Sequence, residues 1–174
     1  RLAPGHGQAW YHLGLARASV EDGDGAVKAF RRVTELDPSF GPAWHSLGVT
    51  ERGLGEGERA LEALDAALAL DPGDHRAWSL LGEARFSLGK YGEAEEAFSR
   101  AIALSGGDAG TFFHRGLALG KLGRLPEAEE AFGRAVSLKP GDPLAWCRQG
   151  LALEKLGKLP EARTSLRRAV ALDP

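Results

Sequence analysis

The side chains with chemistry to offer are five histidines, one cysteine and a surplus of carboxylates. His6, His12, His45, His75 and His114 could ligate a metal or carry protons, yet none pairs with another or with Cys147 at ligand spacing. Cys147 has no base in its own stretch to draw off its proton, so it reads as a small apolar residue, buried or half-buried, rather than a nucleophile. Gly53-Leu-Gly55-Glu-Gly57 has the glycine density of a phosphate loop. It follows a helical stretch and lacks the closing Lys-Ser/Thr, which makes it a turn. Glu127, Glu129 and Glu130 alternate with bases such as Arg134, as on a solvated helix face. We expect no catalytic residue, no cofactor and no metal, and therefore no enzyme activity from this chain.

The elements that carry these residues are constrained by composition. The 174 residues hold 22 Lys plus Arg and 24 Asp plus Glu, a net charge of -2, which argues against a nucleic-acid partner bound through a basic field. No run of about 18 apolar residues occurs, so no membrane span is expected. A single cysteine rules out an internal disulfide framework and fits a reducing, cytoplasmic location. The chain lacks an initiator Met and a signal-peptide layout, and we read it as a fragment of a longer protein. Ala and Leu dominate while Ile occurs once, at Ile102, so helix is favoured over strand. Against that stand 24 glycines, about 14% of the chain and twice the usual share of roughly 7%.

A period explains the glycines. Trp10, Trp44, Trp78, Phe112 and Trp146 are spaced 34 residues apart without exception. Four residues after each stands Gly14, Gly48, Gly82, Gly116 and Gly150. Ala26, Ala60, Ala94, Ala128 and Ala162 follow at sixteen residues, and Phe30, Leu64, Phe98, Phe132 and Leu166 at twenty. Pro38, Pro72, Pro140 and Pro174 close four of the five units. Each unit reads as two helices: apolar residues such as Trp44, Leu47 and Leu54 share one face of the first. Gly55, Gly89, Gly123 and Gly157 mark its left-handed end, and Pro126 and Pro160 suit the first turn of the second helix. Gly inside a helix costs about 1 kcal/mol relative to Ala. Five such positions imply that a bulky residue of the paired helix packs on bare backbone.

These residues resemble the tetratricopeptide repeat (TPR), whose pattern W-x2-L-G, A-x3-F and P runs the length of the chain. The resemblance implies an all-α fold, a right-handed α-solenoid or superhelix of antiparallel helix pairs with the first helices lining a concave groove. Residues 1–6 would be the tail of a preceding repeat, followed by units at 7–40, 41–74, 75–108, 109–142 and 143–174 in one continuous solenoid domain. The family's ligand slots, carried onto this chain, give Tyr11 and Leu15; His45, Val49 and Arg52; and Arg76, Glu83 and Phe86. They continue as Phe113, Leu117 and Lys121, then Leu144, Leu151 and Lys155. The slots are rich in apolar residues, and Arg52, Arg76, Lys121 and Lys155 outnumber Glu83 and Glu154. The groove is therefore expected to take a protein or peptide segment with apolar anchors and modest acidic character. Some of these apolar residues, Leu15, Val49, Leu117 and Leu151 among them, could instead pack against the neighbouring first helix. The carboxylate clamp that holds chaperone C-terminal tails needs Lys, Asn and Arg. Its slots here hold Tyr11, Leu15, Ser46, Arg76 and Leu80, so such tails are not expected partners.

Three departures stand out. Arg115 and Gln149 replace the Leu three residues after the Trp position, with stems expected to cover apolar surface and heads to reach water. The first turn, Glu21-Asp22-Gly23-Asp24-Gly25, carries its Gly two places late and should differ from its siblings. Ser105-Gly106-Gly107 lacks the closing Pro and is the most flexible joint by composition. His12 and His114 share one repeat slot, which points to a solvated face. Two other functions compete with a peptide-binding scaffold: a structural spacer self-associating end to end, because Leu166, Val170 and Leu172 have no polar cap, and a TPR region appended to a larger enzyme or signalling protein.

Overall fold

Ala, Leu, Glu and Arg fill the stretches between glycines, and helix is what they form. The computed structural model describes residues 6–173, in which ten helices and no strand occur. They are α1 (Gly7–Ser19), α2 (Gly23–Leu36), α3 (Gly41–Gly53), α4 (Gly57–Leu70), α5 (His75–Ser87), α6 (Tyr91–Ser105), α7 (Ala109–Lys121), α8 (Leu125–Leu138), α9 (Pro143–Lys155) and α10 (Leu159–Leu172). The expected leading tail, apart from His6, and the closing Pro174 lie outside the described residues. The chain forms two compact units, one ending at Leu88 and one beginning at Gly89. In the first, α1 to α5 pack each on the next, and α3 also touches α5; in the second, α6 to α10 pack each on the next.

The glycines inside the first helices do what the period requires. A Cβ built on Gly14 would fall 2.5 Å from the Phe30 ring, one on Gly48 2.6 Å from Leu64, one on Gly116 2.7 Å from Phe132 and one on Gly150 2.7 Å from Leu166. Burying a Phe or Leu side chain contributes about 1.5–3 kcal/mol, more than the ~1 kcal/mol that Gly costs its helix. Phe30, Leu64 and Phe132 are buried at 4% exposure or less. Around them the first unit builds two apolar clusters, Ala26, Val27, Phe30, Leu47 and Ala63, then Leu61, Leu64, Leu68, Ala77 and Leu81. The second unit builds two more, around Leu119 with Phe132 and around Phe112 with Val136. Gly23 and Gly57 accept side chains from one repeat further on: their Cβ positions fall 2.8 Å from Leu54 and 3.0 Å from Leu88.

The turn inside each pair is closed by a hydrogen bond from the residue after the left-handed position to the carbonyl five residues back. Glu56 N donates to Glu51 O at 2.9 Å, Arg124 N to Leu119 O at 3.0 Å and Lys158 N to Leu153 O at 3.0 Å. The first turn, expected to differ, has the same bond from Asp22 N to Arg17 O at 3.0 Å. What differs is the residue: Glu21 takes the left-handed conformation, φ 61°, in the place of Gly55, Gly89, Gly123 and Gly157. The backbone follows the siblings because helix packing on both sides fixes the path.

Between pairs, three of the four Trp residues tie their helix to the preceding turn. The indole N–H groups of Trp44, Trp78 and Trp146 donate to Pro38 O, Pro72 O and Pro140 O at 2.9, 3.0 and 2.9 Å. At the remaining junction of this kind both partners change together: Phe112 has no N–H and Gly106 stands in the Pro place. Without Pro to stop it, α6 runs to 15 residues against 14 for the other second helices. It ends in left-handed Gly106, and Gly107, also left-handed, lies so close to Phe112 and Ile102 that a Cβ would fall 2.8 and 2.9 Å from them. At the joint read as flexible from composition, Gly107 thus packs on Phe112 and Ile102. Asp74, Asp108 and Asp142 cap α5, α7 and α9 by accepting from backbone N–H groups of the first turn.

Candidate functional site

The residues expected to face a ligand divide by what they touch. In the first unit Leu15 and Val49 are exposed, at 41% and 37%, and present apolar surface on α1 and α3. Tyr11 is half-buried instead, its ring 5.8 Å from Phe30 and 5.2 Å from Phe40 and its hydroxyl 3.4 Å from Ser46 Oγ. It holds the first two repeats together. Arg52 and Glu83 neutralise each other across α3 and α5 through a 2.9 Å ion pair. His45 and Phe86 are half-buried, and Arg76 is exposed at the start of α5.

In the second unit Phe113 is half-buried, 5.8 Å from Phe132, and packs against both apolar clusters. Leu144 and Leu151 are exposed, at 50% and 37%. Leu117, Lys121, Leu151 and Lys155 come together in a cleft of about 280 Å³ between α7, α9 and the start of α8. Its floor is Gly116, Leu117, Leu125, Ala128, Phe132 and Ala152, and its rim carries Lys121, Arg148 and Lys155. No Asp or Glu lines it. Gly120 opens it: a Cβ there would meet nothing within 4 Å, whereas one on Gly116, a turn earlier in α7, would strike the Phe132 ring. The family slots omit Arg148. Helical spacing could have found it, since Leu144, Arg148, Leu151 and Lys155 follow one another at four, three and four residues along one face of α9.

Elsewhere charge is used for packing. The head of Arg115, expected in water, turns to Glu95 at 2.9 Å, and Glu95 is also met by Arg124 at 3.5 Å and by Ser99 Oγ at 2.8 Å. Gln149 Oε1 accepts from Ser165 at 3.2 Å, again between helices. His114, expected on a solvated face, stacks on Phe98 with centroids 6.0 Å apart. Glu51 is buried at 1% exposure with Arg31 at 2.6 Å. Burial raises its pKa above the ordinary carboxylate value, against the opposing hydrogen bond and charge of Arg31. Glu127 moves the other way, lowered by its hydrogen bond to Arg124.

Among the described residues no three His, Cys, Asp or Glu side chains gather where they could hold a metal, and no helix is long and apolar enough to cross a membrane. Gly53 ends α3, Gly57 begins α4, and Leu54-Gly55-Glu56 between them is a turn with Gly55 left-handed. Cys147 is half-buried.

Helix hairpins, four of them closed by a Gly of the first helix against a Phe or Leu of the second, and helices packed each on the next within a unit, define an all-α solenoid. The tetratricopeptide repeat family model matches residues 7–40, 45–109 and 113–174, and the chain belongs to that family. Its structure is similar to that of MamA, with a TM-score of 0.88 and 31% identity over 92% of this chain and 94% of the other. MamA from Desulfovibrio magneticus RS-1 is similar in fold, with a TM-score of 0.90 at 18% identity over 96% and 94%. YrrB, a TPR protein with an unusual peptide-binding site, matches in fold with a TM-score of 0.83 at 22% identity over 95% of this chain and 85% of that one. No curated protein matches the sequence.

Proposed function

We propose that this chain is a protein-interaction scaffold whose five repeats present their first helices to a segment of a partner protein, with no catalytic step of its own. The observation that carries the reading is the placement of exposed apolar side chains: Leu15, Val49, Leu144 and Leu151 all sit on first helices, at ligand slots of the family. Exposed apolar surface at regular positions of a helix array suits an extended or amphipathic segment. The α7–α9 cleft is a seat of this kind, lined by Leu117 and Leu151, and a cytoplasmic location belongs to the same reading through the single cysteine. Dodecapeptides selected from a random display library, titrated into isotope-labelled protein, test it. Amide shifts should cluster on α1, α3, α5, α7 and α9. Shifts confined to α2, α4, α8 and α10, or a library that yields no binder, would overturn the reading.

A further inference from the structure

Resting on the scaffold reading, we propose that the α7–α9 cleft selects a segment in which one apolar side chain is flanked by carboxylates. The apolar half of the claim comes from Gly120. Its slot is filled by Arg52, Phe86 and Glu154 in three other repeats, and only here does a glycine leave open a recess floored by Leu117, Leu125, Ala128 and the edge of Phe132. At about 280 Å³ the recess lies just under the roughly 300–1,000 Å³ of small-molecule sites. That volume suits a side-chain anchor better than a cofactor.

The acidic half comes from the rim. Carboxylates outnumber bases in this chain, 24 to 22, yet three bases and no carboxylate line the cleft. In the first unit the corresponding charge is cancelled, Arg52 by Glu83. Lys121 is held over the Tyr91 ring at 5.9 Å, which keeps its ammonium group at the rim without neutralising it. A segment carrying Asp or Glu on either side of its anchor would supply the missing negative charge, and one carrying Lys or Arg would be repelled.

The test uses a fluorescein-labelled peptide, Ser-Gly-Glu-Asp-Leu-Glu-Asp-Gly-Ser, with companions in which the acids become their amides or Lys, or Leu becomes Ser. Anionic phospholipid vesicles and a single-stranded oligonucleotide serve as the other anionic arms. Fluorescence polarisation should show the acidic peptide binding about tenfold more tightly than its amide form, with the preference fading as salt rises. Gly120→Leu should weaken binding at least about tenfold by filling the recess. Leu is a better helix former than Gly, so that loss would not reflect unfolding. Lys121→Gln with Arg148→Gln and Lys155→Gln should erase the acidic preference, while Arg163→Gln with Arg167→Gln on α10 should leave it intact. If acidic and amide peptides bind alike but Gly120→Leu still abolishes binding, this inference falls and the scaffold reading stands. If neither cleft variant changes binding, the cleft assignment falls, and the scaffold reading is then decided by whether amide shifts fall on the first helices. Tighter, Gly120-independent binding to vesicles or oligonucleotide would overturn the peptide assignment.

Discussion

Glu21 is the sole described non-glycine residue with positive φ, at a position where four sibling turns carry Gly. A side chain in the left-handed region costs about 1–2 kcal/mol, and part of that is returned by the freer unfolded chain that Gly creates. Glu21→Gly is therefore expected to stabilise the protein by about 0.5–1 kcal/mol, measured as a rise in the denaturant midpoint at constant slope. Unchanged or lower stability would mean that Glu21 makes compensating contacts. Glu51 supplies a pH effect of known sign. Its raised pKa means that the folded protein holds the proton more tightly than the unfolded chain, so stability falls as pH rises from about 4.3 through the folded-state value. In Glu51→Gln that decline should disappear from a plot of unfolding free energy against pH. Glu127, lowered by Arg124, acts in the opposite sense and below that window, where acid removes its contribution. Neither residue announced itself in the sequence. Glu21 looked like part of a shifted loop because only residue types were visible, not the backbone path that neighbouring helices impose. Glu51 differs from a surface Glu through its burial between helices and through Arg31, twenty residues away on another helix.

At the scale of the element, α7 carries two glycines one turn apart with opposite duties. Gly116→Ala gains about 1 kcal/mol of helix propensity but drives a Cβ to within 2.7 Å of a ring edge, and overpacking costs about 1–3 kcal/mol. We expect net destabilisation. Gly120→Ala meets open space, and stabilisation of about 0.5 kcal/mol is expected in this last turn of the helix. Thermal melts of the pair decide the matter: equal shifts would show that propensity alone governs both sites. The helices themselves were readable because a 34-residue period repeats every packing decision, so Trp44, Gly48 and Leu64 explain one another and their equivalents. The cleft was only partly readable. Leu117, Lys121, Leu151 and Lys155 follow from family slots, whereas Arg148 does not. Tyr11, Phe113, Arg52 and Glu83 occupy ligand slots but also contact neighbouring helices. Pairs such as Arg115 with Glu95 join different helices and leave no periodic trace.

Over the whole molecule, stability is assembled from adjoining helices, and each of the four apolar clusters joins residues of adjoining helices. Damage should then stay local. Leu64→Ala, which empties the recess over Gly48, should cost about 2–5 kcal/mol at its own repeat. It should speed amide hydrogen exchange in α3, α4 and α5 while leaving α8 and α9 protected. Uniform acceleration along the chain would refute that locality. The bond from the indoles of Trp44, Trp78 and Trp146 to the Pro carbonyl six residues before each adds a practical consequence. Those three indoles are placed one per junction, and Phe112, where Gly106 replaces the Pro, is a ring with no donor at that slot. Chains reduced to one Trp by Trp→Phe would therefore fluoresce from one chosen seam, so that each seam's loosening, or a partner's arrival beside it, could be timed without attaching a dye.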